Sequence, residues 1–131
     1  MTDEEFSVFV DRGIAKIPER FRAKIANVAF LIADEPTEAQ LEENDIPVGD
    51  TLLGLYQGIP LTERGEYYGM GVVLPDTITL FKLPILEDAG TDAGRIQHVV
   101  TETIWHEVAH YFGYDDEEIE KREDAGTNHT T

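Results

Sequence analysis

The segment HEVAHYFGYDD at 106–116 sets two histidines four residues apart, with a glutamate directly after the first. On a helix, positions i and i+4 share one face with Cβ atoms about 6 Å apart. His106 and His110 can therefore aim imidazole nitrogens at one ion, at the ~2.0–2.1 Å that zinc prefers. Glu107 falls about 100° round the helix, beside the ion, where it can take a proton from a zinc-bound water. Gly113 ends the helix, because glycine accepts a positive φ, and lets the chain fold back. Asp116, ten positions after His106, can then supply a third ligand and leave a fourth position open for water. Spacing favours Asp116 over Asp115. Glu117 is a further rival that equally suits the first turn of a following helix. Three protein ligands plus water is the pattern of catalytic zinc, whereas structural zinc is usually closed by four. The competing explanation is a helix with two half-buried, hydrogen-bonded histidines, and the full spacing from His106 to Asp116 favours the metal.

Several elements must position these residues. Thr2-Asp3-Glu4-Glu5 matches a capping box. Phe6, Phe9, Val10, Gly13, Ile14 and Ile17 then recur at helical spacing up to Pro18, which predicts a helix over about 3–17. A helical turn follows at ERFRAK. In IANVAFLIAD, Val28, Phe30 and Ile32 alternate with smaller residues, which predicts a buried strand ended by Pro36. EPTEAQLEENDIPVGD reads as a loop or short helix. TLLGLYQGIPL at 51–61 reads as a short strand broken by glycines, and Pro75 and Pro84 bound a strand at about 77–83. DAGTDAG is a connection. Thr91 or Asp92 caps a long helix whose inner half carries Ile96, Val99, Val100, Thr103, Ile104 and Ala109. DDEEIEKRE is expected to form a last short helix. The predicted class is α+β, a small mixed sheet packed with an N-terminal helix and a long helix bearing the histidines. One domain covers 1–120, and 121–131 is a frayed acidic tail.

The chain has 131 residues, 10 basic and 27 acidic, for a net charge of -17. Such a field repels phosphate backbones and anionic membranes, so neither nucleic acid nor membrane is an expected partner. No apolar run approaches the ~20 residues that span a bilayer, and MTDEEFSVFV lacks the basic start of a secretory signal. A cytoplasmic location is the expectation. There are no cysteines, and Ser7 in the first helix is the only serine, so neither nucleophile is supported.

HEVAHYFGYDD resembles the zincin-like metallopeptidases, specifically a bacterial family of single-domain minimal zincins. LLGLYQGIPL (52–61), LPDTITLFKLPIL (74–86) and TETIWHEVAHYFGYDDEEI (101–119) resemble that family's characteristic blocks. The resemblance implies a metalloprotease-like fold, His106 and His110 as zinc ligands, Glu107 as base and a third ligand at position 116. The spacing is also similar to the metzincin motif HExxHxxGxxH, with Asp116 where that group has histidine. No methionine follows Asp116, so the methionine turn of that group is missing. A third similarity is to HxxxHxxGYDH, the pattern of a bacterial ribosome-maturation endoribonuclease family. His106, His110, Gly113, Tyr114 and Asp115 match it, Glu107 and Asp116 depart from it, and the charge opposes RNA.

The resulting expectation is a zinc-dependent hydrolase acting on peptides or proteins, with Glu107 as the catalytic base and His106, His110 and Asp116 as metal ligands. The alternative is a non-catalytic metal-binding or interaction protein. His98 is expected at the surface or partly buried, and Trp105 in the core. Tyr56, Tyr67, Tyr68, Tyr114 and Arg64 are candidates to stabilise an oxyanion, each of which fits a packing or surface role as well. Residues 77–83 are a candidate edge strand for pairing with an extended peptide.

Overall fold

Thr2 begins the first helix as its sequence predicts. Its hydroxyl accepts from Glu5 N at 3.1 Å, and its own N–H donates to Glu5 Oε1 at 3.0 Å, completing the capping box. The computed structural model describes residues 1–25, 27–58 and 76–113. Within them α1 spans Asp3–Ala15 and α2 spans Glu19–Arg22, with Pro18 as the N-cap of the latter. The expected helix thus stops two residues early, because the residue before a proline is pushed away from helical geometry.

Among the described residues, three strands form one mixed sheet. They are β1 (Val28–Ala33), β2 (Gly54–Gln57) and β3 (Asp76–Phe81), in the order β1-β3-β2. β1 runs parallel to β3 with Phe30 opposite Ile78, and β2 runs antiparallel to it with Tyr56 opposite Ile78. Two sequence-based expectations change here. The strand expected at 77–83 is the central strand, not an edge, and among the described residues the edge beside the histidine helix is β2. That strand also ends at Phe81, and Lys82 and Leu83 begin α4 (Lys82–Ala89). Pro84 is therefore no strand boundary. It occupies the first turn of α4, where a missing N–H costs nothing because no intrahelical acceptor exists. β1, expected as a buried strand, is only partly buried, with Leu31 46% exposed, because among the described residues it lies at the opposite edge of the sheet. Within EPTEAQLEENDIPVGD the short helix forms: α3 (Glu38–Glu43) carries a second capping box, between Thr37 and Gln40.

Helix α5 (Ala93–Tyr111) is capped by Asp92, whose carboxylate accepts from Arg95 N at 2.9 Å, and ends before Gly113 at φ 91. Its inner face supplies Ile96, Val99, Val100, Ile104, Trp105 and Val108 to the core, against Phe6 and Val10 of α1 and Ile78 and Leu80 of β3. Trp105 lies buried as expected, edge-on to Phe21 at 5.5 Å between ring centroids. α1 approaches α5 closely at Gly13, where a Cβ would lie 2.7 Å from Ile104 Cδ1. Lys82 ties the start of α4 to the start of α1, donating to Asp3 Oδ1 at 2.6 Å, with Asp34 Oδ1 3.5 Å away. The α+β architecture is as predicted. The expected last helix and the tail fall outside the described residues, and no described helix is long and apolar enough to cross a membrane.

Candidate metal centre

His106, Glu107 and His110 all stand in the last two turns of α5. The helical period turns both histidines to one side, and their ring centroids are 5.1 Å apart with planes inclined at 72°. One ligand atom from each of the three residues falls within 4.8 Å of the others. Both histidines are half-buried, while Glu107 is only 6% exposed. Two imidazoles are ligands that zinc takes at ~2.0–2.1 Å, and the Glu107 carboxylate stands beside them. The donor set fits a zinc ion.

The carboxylate of Glu107 is held by β2. Phe81 N donates to Leu53 O at 2.9 Å, so Leu53 and Leu55 face β3 in the antiparallel ladder, and the intervening Gly54 and Tyr56 turn their backbone N–H groups outward. The Tyr56 N–H donates to Glu107 Oε1 at 2.9 Å. The tyrosine itself is anchored twice. Its hydroxyl donates to Asp76 Oδ2 at 2.6 Å, and its ring meets Tyr111 edge-on at 6.0 Å. Tyr56 thus packs and positions at this site. Tyr67, Tyr68, Tyr114 and Arg64 lie outside the described residues.

The site opens into a cavity of about 340 Å³ bordered by Thr51, Leu53, Gly54, Glu102, His106 and Glu107. A larger cavity, of about 580 Å³, lies near α4 between Leu41, Leu83 and Glu87 and includes neither histidine of the motif. Size does not locate the chemistry here, and the ligand set does. His98, two turns earlier on α5, is exposed as expected. Asp116 and its rivals Asp115 and Glu117 lie outside the described residues, as does His129. Sequence reasoning missed Gly54 and the Tyr56 N–H. The available signal was a glycine inside a strand, which often marks a close backbone approach.

Residues 25–126 match the protein-family model described as zincin-like metallopeptidase. No curated protein matches the chain.

Proposed function

The chain belongs to the zincin-like metallopeptidase family, and from that premise we propose that it is a zinc-dependent peptidase that hydrolyses peptide bonds with a water molecule. The observation that carries this reading is the convergence of His106, His110 and Glu107 at one point on α5, with Glu107 buried and fixed by a backbone donor. His106 and His110 would hold the ion, with Asp116 as the third ligand by its spacing after Gly113. A bound zinc supplies a Lewis acid that acidifies water and polarises a carbonyl. Glu107 accepts the proton from the attacking water and returns it to the departing amine. The Tyr56 N–H on Oε1 keeps the carboxylate in place for that proton transfer.

The family match supports a peptide as the substrate class. Charge supports a peptide over RNA as well, since a chain at -17 repels a phosphate backbone. The test is the metal content of the purified protein together with cleavage of a peptide library. Stoichiometric zinc with EDTA-sensitive cleavage is the expected result. Stoichiometric zinc without cleavage of any peptide would favour the non-catalytic metal-binding alternative.

A further inference from the structure

β2 meets α5 at a distance that only a glycine allows. A Cβ at position 54 would lie 2.7 Å from Thr103 Cγ2 and 3.3 Å from both Glu107 Cγ and Thr79 O. Thr103 cannot easily swing away. It is buried, and its hydroxyl donates to Val99 O at 2.7 Å, which fixes the rotamer of a branched side chain. Two residues along the same strand, the Tyr56 N–H reaches Glu107 Oε1 at 2.9 Å.

We infer that Gly54 and Tyr56 are positioning residues for Glu107: the bare Cα at 54 lets β2 sit close enough for the Tyr56 backbone N–H to lock the carboxylate beside His106 and His110. A glutamate side chain left to itself samples several rotamers and loses that freedom only when something fixes it. A strand N–H does this with a donor that does not itself titrate. The strand is itself secured, since the Tyr56 hydroxyl donates to Asp76, which is 4% exposed, and the Tyr56 ring packs on Tyr111. Any side chain at 54 must push β2 off the helix, and the N–H moves with it. The effect passes from Gly54 through the strand to the carboxylate, so it should be reversible from the helix side. Thr103→Ser deletes the obstructing methyl and keeps the hydroxyl that donates to Val99 O.

The test compares wild type, Gly54→Ala, Thr103→Ser and Gly54→Ala/Thr103→Ser by amide hydrogen exchange and by steady-state kinetics. In Gly54→Ala the Tyr56 amide should exchange roughly tenfold faster while α1 keeps its protection, and the double variant should regain wild-type exchange at Tyr56. Only the kinetic arm rests on the peptidase reading. There kcat should fall roughly 10- to 100-fold in Gly54→Ala with KM within about twofold, and recover in the double variant. Unchanged Tyr56 exchange in Gly54→Ala, or a double variant that recovers neither exchange nor kcat, overturns the inference. Should Gly54→Ala not fold, a folded double variant with a protected Tyr56 amide supports it, and an unfolded one overturns it. Absence of peptidase activity in wild type would refute the peptidase reading alone, and the exchange arm would still decide this one.

Discussion

The backbone N–H of Tyr56 on β2 donates a 2.9 Å hydrogen bond to Glu107 Oε1 on α5. The bond joins residues 51 positions apart, so the sheet edge and the histidine helix form one site. It also separates the glutamate from its two neighbours in the motif. His106 and His110 are half-buried and turned to one side of the helix, whereas Glu107 is buried under a strand that grips one of its oxygens.

Metal binding should depend on the histidines and on one acid beyond Gly113. His106→Ala and His110→Ala should each lose bound zinc. Asp116→Ala should lower zinc content far more than Asp115→Ala, as measured by elemental analysis after dialysis. Zinc at 100 times its dissociation constant should stabilise the wild type by about 2.7 kcal/mol, and that gain should vanish in His106→Ala. Equal zinc content in the two aspartate variants would remove Asp116 from the ligand set.

The closeness of α1 to α5 should show in stability. Gly13→Ala gains helix propensity of up to about 1 kcal/mol, but its methyl would meet Ile104 Cδ1 at 2.7 Å in a fully buried site. Overpacking of this kind costs about 1–3 kcal/mol, so the net effect should be destabilising. Ile104→Val removes that Cδ1 and should make Gly13→Ala less harmful. Urea denaturation of the two single variants and the double measures the coupling. Strict additivity would contradict the packing argument.

Two ionic contacts give stability opposite dependences on pH. The Asp3 carboxylate, hydrogen-bonded to Lys82 at 2.6 Å, raises the Lys82 pKa above the ordinary lysine value, and Asp34 adds to the effect. A raised folded pKa gives stability that is complete below the ordinary lysine value and lost as pH rises through the folded one. The Thr2 N–H, and then its hydroxyl, lower the Glu5 pKa, so that contribution is complete above the ordinary glutamate value and lost as pH falls through the lowered one. The melting-temperature gap between wild type and Lys82→Met should therefore narrow in strong alkali. The gap between wild type and Glu5→Ala should narrow only in acid. A gap that stays constant across its window would contradict the corresponding assignment.

What could be read from the sequence was local. The capping box at Thr2, the helical period from Ile96 to Ala109 and the stop at Gly113 each depend on residues within a turn or two, and each is present. The histidine pair was legible for the same reason, since i and i+4 meet on any helix. The strand order was not legible, because pairing of β1 with β3 across more than forty residues leaves no local mark. α4 was hidden by Pro84, which breaks a helix interior but is tolerated in a first turn. The grip on Glu107 was hidden most deeply. A backbone N–H has no letter in the sequence, and only the glycine two residues before Tyr56 hinted at it.

Glu107→Gln tests the central claim most directly. Glutamine keeps the side chain's shape and a carbonyl oxygen that can accept the Tyr56 N–H, but cannot take the proton from water. With zinc content and peptide cleavage measured on the same preparation, the variant should retain zinc and lose roughly 100-fold or more in kcat. Undiminished turnover in zinc-loaded Glu107→Gln would contradict the assignment of Glu107 as the base.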